Sequence, residues 1–371
     1  MKIYYLSNSQ IPSRTANSIH VIKICQAFAK NGNEVTLYAQ KDISMTYDEI
    51  FRYYGVENSF NIIGFKRTFL KGFVGALIYT YDIVKELKTR PLPDIFYGRY
   101  PYSLAGVAHL GIPLIYEVHT PPNGSLKRKV EKWLCRRRNF LRLVVISESL
   151  RQEYIRIFPW LPSEKIRTVH DGADMPMKRD KSHFYKGFMG HEENFQVGYV
   201  GHLYQGRGIE IICLLAHRLP QMDFHVVGGM DEDIARWQQT GTVPNLYFHG
   251  FVRPSDIPCY FDKFDVLLAP YQKKVMSVGG KKDNAPWMSP LKLFEYMASG
   301  KAIVCSDLPV LREILTHSED ALLIPPEDIE AWVRALRILQ KDSELREMLA
   351  ISAKEKFLAR HTWEKRAGEV L

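Results

Sequence analysis

The chain of 371 residues is 46% hydrophobic and 25% charged, an ordinary composition for a soluble globular protein and long enough for two domains. No apolar run reaches the roughly 18 residues of a membrane-spanning helix, and five scattered cysteines without a CxxC pair argue against a disulfide framework or a zinc site. The formal net charge of +9 suggests anionic partners such as nucleotide phosphates, acidic lipid or nucleic acid.

The opening "MKIYYLSNSQIP" lacks the long apolar core of a signal peptide, so a cytoplasmic location is expected. "KIYYLSN" reads as a strand followed by a loop, "SIHVIKICQAFAKNG" has helical apolar spacing ending at Gly32, and "NEVTLYAQ" is a second strand. The alternation continues through strand-like "PDIFYGR", helical "SLAGVAHLG", strand "PLIYEVH", helical "LKRKVEKWLCRRRNF", and the strands "LRLVVIS" and "KIRTVHDG". Such alternation implies a parallel sheet with helices on both faces. The polar stretch 175–194, "MPMKRDKSHFYKGFMGHEEN", breaks the rhythm and reads as an interdomain connection. A second series runs from "FQVGYVGHL" through "DFHVVGG", "NLYFHGFV", "DVLLAPY" and "KAIVCSD", then ends in helices after Pro326. We therefore expect an α/β protein of two doubly wound, Rossmann-like domains, 1–174 and 195–350. The segment 351–371 is expected to pack back on the first domain, and a ligand cleft is expected at the carboxyl ends of the strands.

"MSPLKLFEYMASGKAIVCSD" poses a charge puzzle. Ser289 suits a helix cap, Pro290 the first helical position and Gly300 the residue past the end. A helix N-terminus carries roughly half a positive charge, which favours acids there, yet the first turn holds Lys292 and the acid, Glu295, lies one turn further in. An anion at the opening turn resolves this, since free N–H groups and the ammonium would both act on it. A solvated surface lysine, or a structural Lys292–Glu295 ion pair, is the plain alternative.

Five segments, taken in order, resemble the family 4 retaining glycosyltransferases of GT-B architecture. They are "SIHVIKICQAFAKNGNEVTLYA", "GIPLIYEVHT", "YVGHLYQGRGIE", "NLYFHGFVRPSDIPCYFDKFDVLLAPY" and "SPLKLFEYMASGKAIVCSDLPVLREIL". The resemblance implies transfer of a sugar from a UDP- or GDP-linked donor to an acceptor hydroxyl with retention of configuration. It also implies a nucleotide-sugar site of Gly201, His202, Arg207, Phe251, Ser289, Leu291, Lys292, Leu293 and Glu295. His119, at a strand end, would contact the donor sugar, and with Arg207 and Lys292 it forms the catalytic set. Glu295 would accept from the ribose hydroxyls, and the loop around Arg14, Asn17 and His20 would receive the acceptor. The chain departs from the family pattern at Trp287, where the first motif glutamate usually stands, with Asp283 nearby. His202 replaces an arginine, Arg207 a lysine, and "IPSRTANS" lacks paired glycines.

No cofactor or metal is expected, because Arg207 and Lys292 can neutralise the diphosphate. The spaced pair Asp231 and Asp233 in "MDEDI" reads as helix N-terminal carboxylates. "LKRKVEKWLCRRRNFLR", Leu126 to Arg142, carries eight basic residues and one acidic, with Leu, Trp and Phe between them. It reads either as one solvated and one buried face, or as a surface that docks on anionic lipid to reach a lipid-linked acceptor, aided by "FKRTFLKGFVGALIYTY", Phe65 to Tyr81. The expectation is a peripheral position on the inner face of the cytoplasmic membrane and a role in cell-surface polysaccharide or glycolipid synthesis. No nucleic-acid signature accompanies the charge. A two-domain sugar-nucleotide epimerase and a non-catalytic nucleotide-sugar binder are the rival readings; a nicotinamide dehydrogenase lacks its GxGxxG fingerprint.

Overall fold

The computed structural model describes residues 1–41, 44–66, 72–175, 188–239, 243–276 and 283–371. Most of the expected connection 175–194, namely 176–187, lies outside the described residues, as do 67–71 of the aromatic stretch Phe65–Tyr81. The chain divides into two compact units, Met1–Asp171 with Trp363–Leu371, and Gly172–Thr362.

In the first unit seven parallel strands, β1 (Lys2–Ile11), β2 (Glu34–Lys41), β3 (Asn61–Phe65), β4 (Ile95–Gly98), β5 (Leu114–Val118), β6 (Phe140–Val145) and β7 (Ile166–Thr168), lie in the order β3-β2-β1-β4-β5-β6-β7. The helices are α1 (Ala16–Lys30), α2 (Tyr47–Tyr54), α3 (Gly72–Leu87), α4 (Pro101–Val107), α5 (Ser125–Cys135) and α6 (Glu148–Ile157). The second unit has six parallel strands, β8 (Phe195–Val200), β9 (Met222–Val227), β10 (Leu246–Gly250), β11 (Val266–Ala269), β12 (Ala302–Ser306) and β13 (Leu322–Ile324), ordered β10-β9-β8-β11-β12-β13. Its helices are α7 (Ile209–Arg218), α8 (Asp231–Gln239), α9 (Ile257–Phe261), α10 (Leu291–Ser299), α11 (Ile329–Lys341) and α12 (Ser343–Arg360).

Every residue of β5, β8, β9, β11 and β12 is buried, as expected where helices cover both faces of a parallel sheet and the strand sequence is mostly apolar. Strand order reverses between β1 and β4 and again between β8 and β11. Such reversals open a crevice outside the carboxyl ends of the strands. The chain re-enters the first unit as α13 (Trp363–Val370), which packs on α1, where Asn31 Nδ2 donates to the Glu364 carbonyl at 2.8 Å. Of the stretch expected to return, 351–360 belongs to α12 in the second unit.

Three local expectations are corrected. β1 runs on to Ile11, its register with β2 shifting between Leu6 and Gln10, where the sequence suggested a loop after Asn8. The basic helix stops at Cys135 rather than Phe140. The Asn139 side chain donates to the Ile112 carbonyl at 2.6 Å and to that of Ala108 at 3.3 Å, and Phe140 is buried as the first residue of β6. This places Arg136, Arg137 and Arg138 in the turn. Finally, Ser289 does not cap α10: Pro290 is the cap residue, with extended backbone (ψ 119°) and no side-chain hydrogen bond, and the helix begins at Leu291.

A candidate donor site and a buried ion network

In the second unit, the crevice between β8 and β11 is lined by the loop after β8, the residues after β11 and the opening turn of α10. Lys292, second residue of α10, is only 8% exposed, and its Nζ has no hydrogen-bond partner among the described residues. The ammonium lies 3.7 Å from the centroid of the Tyr199 ring and 5.1 Å from that of Tyr271. Arg207 joins the same pair: its guanidinium is 5.5 Å from the Tyr271 centroid, and Nη1 donates to Tyr271 Oη at 3.4 Å. Its Nε is buried without a partner among the described residues. Two cations thus meet around two aromatic rings, with no carboxylate at ion-pair distance from either among the described residues.

Burial above all, and then the neighbouring Arg207 charge, hold the Lys292 ammonium well below the usual lysine range. A cation removed from water without a partner is strongly disfavoured. Cation–π contact repays only about 2 kcal/mol when desolvated. The first turn of α10 adds to the imbalance, for it contains no acid and no side-chain cap, so its N–H groups face the crevice without a side-chain acceptor. An anion is the ligand that would satisfy all three sources of positive potential at once.

Glycines make room for these cations. Gly201 follows β8 with φ +148°, and a Cβ there would stand 2.9 Å from Lys292 Nζ. Gly208, in the left-handed region at φ +88°, caps α7 so closely against the Pro270 carbonyl that a Cβ would come within 1.9 Å of its oxygen. The other expected donor residues take varied positions. The His202 ring stacks on Tyr204 (centroids 4.9 Å, 9° between planes), while its carbonyl accepts from Tyr199 Oη at 2.7 Å. Glu295, Phe251 and Leu291 are half-buried, Ser289 is buried, and Leu293 is fully enclosed in the core below the sheet. Lys292 makes no hydrogen bond to Glu295. Asp283 is tied to backbone, its Oδ1 accepting from Val275 and Ala285 N–H groups, both at 2.9 Å. Asp231 and Asp233 sit in the first turn of α8, where Asp233 pairs with Arg236 at 3.0 Å.

The first unit gathers a second cluster at the carboxyl edge of its sheet. Glu117, fully buried on β5, presents Oε1 to three cationic or imidazole groups: His119 Nε2 at 2.5 Å, His20 Nε2 at 3.0 Å and Arg366 Nη2 at 3.0 Å. Its Oε2 accepts from Tyr97 Oη. Asp171 adds a second carboxylate, 3.2 Å from His20 Nε2 and 3.6 Å from Arg366 Nη2. Burial works to raise the Glu117 carboxyl, but Arg366 first and His20 next outweigh it and leave the group well below the usual carboxylate range. Asp171 falls to about 2 against the same burial, chiefly through His20. His119 is lowered to about 4, mainly by burial and then by Arg99, so the ring is neutral near pH 7. An ionised carboxylate can only accept. His119 therefore carries its proton on Nε2, and Nδ1 is left as the acceptor of the ring.

Of the expected acceptor residues, Arg14 is exposed in the loop before α1, and Asn17 is half-buried with Nδ2 donating to Ser9 Oγ at 2.5 Å. His20 is 1% exposed and lies edge-on to His119, ring centroids 4.9 Å apart. The structure thus joins His20 to His119. Five residues were missed from sequence: Tyr199 and Tyr271, which read only as strand hydrophobics; Glu117 and Asp171, which read only as parts of strands; and Arg366, distant in the chain from the carboxylates it faces. Arg99, just past β4, also has a buried Nη1 without a hydrogen-bond partner among the described residues. His20, Glu117, His119 and Asp171 bring four donor atoms within 4.8 Å of one another, the one grouping of that kind among the described residues. A divalent cation there would have to share the space with Arg366, whose guanidinium already supplies the positive charge.

Comparison with known proteins adds the following. Residues 194–342 match the family described as Glycosyl transferases group 1, and residues 18–175 match Glycosyltransferase Family 4. The phosphatidyl-myo-inositol mannosyltransferase of Mycolicibacterium smegmatis is 28% identical over 157 residues, covering 42% of this chain and 37% of that protein. A teichuronic acid biosynthesis glycosyltransferase of Bacillus subtilis, TuaH, itself a provisional assignment, is 26% identical over 149 residues, 39% of this chain and 35% of its own length. The alignments therefore span little more than a third of these relatives. Among solved structures, Anabaena HepE in complex with UDP superposes with a TM-score of 0.73 at 17% identity, covering 100% of this chain and 98% of that one.

Proposed function

We propose that this chain, which belongs to the group 1 and family 4 glycosyltransferases and has their GT-B fold, transfers a hexose from a nucleotide-diphosphate sugar to an acceptor hydroxyl. One observation carries the reading: two cations, Lys292 and Arg207, stand unpaired among the described residues around Tyr199 and Tyr271 at the strand-order reversal of the second unit.

In this reading the diphosphate lies against the opening turn of α10, bound by its N–H groups, Lys292 and Arg207. Cleavage of the sugar–phosphate bond leaves negative charge on the departing nucleotide. Fixed cations stabilise that developing charge more than the ground state, which is what accelerates the step. With two cations in place no metal is required at the diphosphate. Glu295 accepts from the ribose hydroxyls. His119, neutral and with Nδ1 as acceptor, receives a hydroxyl of the donor sugar. Retention follows a same-face course: the acceptor oxygen attacks the anomeric carbon from the side the nucleotide leaves, and a donor phosphate oxygen takes the acceptor proton. Arg14 and Asn17 belong to the acceptor loop, whereas His20, enclosed between Glu117 and Asp171, supports His119 instead.

The acceptor is lipid-linked in this account. α3 turns Phe73, Val74, Leu77, Ile78 and Tyr81 to solvent, a stripe of large apolar side chains 39% to 66% exposed. α3 packs on α4, and α4 on α5. α5 keeps its one acid, Glu131, inside, held by Tyr116 and Tyr154 hydroxyls at 2.7 and 3.1 Å. Its exposed positions are Ser125, Leu126, Arg128, Lys129, Lys132 and Trp133. Beside it lies a groove of about 840 Å³ bordered by Arg128, Lys129, Lys132, Arg156 and Trp160. Apolar side chains next to clustered cations suit an anionic bilayer surface, and the mannosyltransferase relative is named for a phosphatidyl-inositol acceptor.

The test is a thermal-shift panel of UDP, GDP, ADP and their sugars. The expected result is stabilisation by one nucleotide series, lost in Lys292→Ala and Glu295→Ala, together with retained configuration in the product by NMR. Donor turnover without acceptor would favour an epimerase, and no shift with any nucleotide would remove the reading.

A further inference from the structure

The helix that returns to the first unit places one charged side chain inside its ion network. Arg366 on α13 is 1% exposed, donates through Nε to the His170 carbonyl at 3.0 Å, and is braced by Trp363, whose ring centroid lies 5.8 Å from the guanidinium. Its Nη2 faces Glu117 Oε1 at 3.0 Å as a charge contact off the axis of a hydrogen bond. Glu117 holds His119 through that same oxygen.

We propose that Arg366 is a positioning residue for His119: by keeping Glu117 ionised it fixes the His119 tautomer with the proton on Nε2 and Nδ1 free to accept. The inference rests on the proposed role of His119 at the donor sugar.

Two carboxylates, Glu117 and Asp171, flank His20, both buried at 4% exposure or less. Two guanidiniums act on the cluster, Arg366 beside both carboxylates and Arg99 within reach of Asp171 and His119, so each carboxylate has a guanidinium set against it. Without Arg366 the buried carboxylate pair would lose the guanidinium that faces both of its members, and such pairs take up a proton rather than both ionise. A protonated Glu117 would donate to His119 Nε2. The ring would then either move its own proton to Nδ1 or become cationic, and in both cases the acceptor at Nδ1 is lost.

The experiment is nitrogen NMR on protein labelled with ¹⁵N-histidine, with His119→Asn assigning the resonance. The wild type is expected to show His119 as the single Nε2–H tautomer at neutral pH. Arg366→Met is expected to show the Nδ1–H tautomer, a mixture or the imidazolium, and Arg366→Lys to restore the wild-type pattern. In the transfer assay Arg366→Met should lower kcat by roughly a hundredfold, as expected for a misplaced catalytic group, with the donor KM little changed and Arg366→Lys again rescuing. Should Arg366→Met fail to fold, Glu117→Gln asks the same question, since its amide can donate to Nε2. An unchanged His119 resonance in either folded variant overturns the proposal. The spectral measurement needs no turnover, so it stands or falls separately from the transferase reading.

Discussion

At the scale of single residues the decisive fact is an ammonium kept from water without a carboxylate. Lys292 is buried, near Tyr199 at 3.7 Å, and held well below the usual lysine range first by burial and then by Arg207. A bound diphosphate would supply the missing counter-charge and raise that value again. Between the low value of the free protein and the higher value of the complex, binding must take up a proton. Isothermal titration with the tight-binding nucleotide over a series of pH values below the usual lysine range, in two buffers of different ionisation enthalpy, is expected to show a pH window of proton uptake that vanishes in Lys292→Met. Equal apparent enthalpies in the two buffers for the wild type would count against this. The lysine was legible in the sequence because it violates helix-dipole preference; its aromatic cage was not, since Tyr199 and Tyr271 lie at strand ends whose pairing no local pattern reveals. Arg366 was out of reach for the same reason: its partners Glu117 and Asp171 come from β5 and the segment after β7.

At the scale of elements, periodicity carried most of the information. The strands are short apolar runs and the helices follow a period of 3.6, so existence and type were readable. Ends were less so. Ser289 suited the role of cap by residue type, but Pro290 took it, and the basic helix stopped at Cys135 because Asn139 binds the carbonyls of the preceding segment. This shortening matters for α5: what remains on the helix is an exposed face of cations, Leu126 and Trp133, continued by an arginine turn in which Arg136 stacks on Trp160 at 4.6 Å and Arg137 on Trp133 at 4.7 Å. Vesicle co-sedimentation tests this face together with α3. Binding is expected to vesicles of mixed phosphatidylglycerol and phosphatidylcholine, to weaken with salt, and to be poor with phosphatidylcholine alone. Lys129→Glu/Lys132→Glu should weaken it by on the order of tenfold or more, at about 1 kcal/mol per basic residue. Leu77→Asp/Ile78→Asp should weaken it at all salt concentrations. Equal binding to neutral and anionic vesicles, or none to either, would set the lipid docking aside.

At the scale of the whole molecule, each unit repeats one arrangement: a parallel sheet whose order reverses beside its first strand, with the polar side chains collected at the carboxyl edge. The second unit collects cations without carboxylate partners there; the first collects a network of two carboxylates, two guanidiniums and two imidazoles, completed by a helix from the far end of the chain. On that difference rests our proposal that the nucleotide binds the second unit. The measurement that bears on this most directly is the structure of the complex with the nucleotide that gives the largest thermal shift. The account predicts diphosphate oxygens within about 3 Å of Lys292 Nζ, an Arg207 nitrogen and the opening N–H groups of α10. A nucleotide bound at another edge of the sheet, or a Lys292 still enclosed between Tyr199 and Tyr271 with no phosphate beside it, would contradict it.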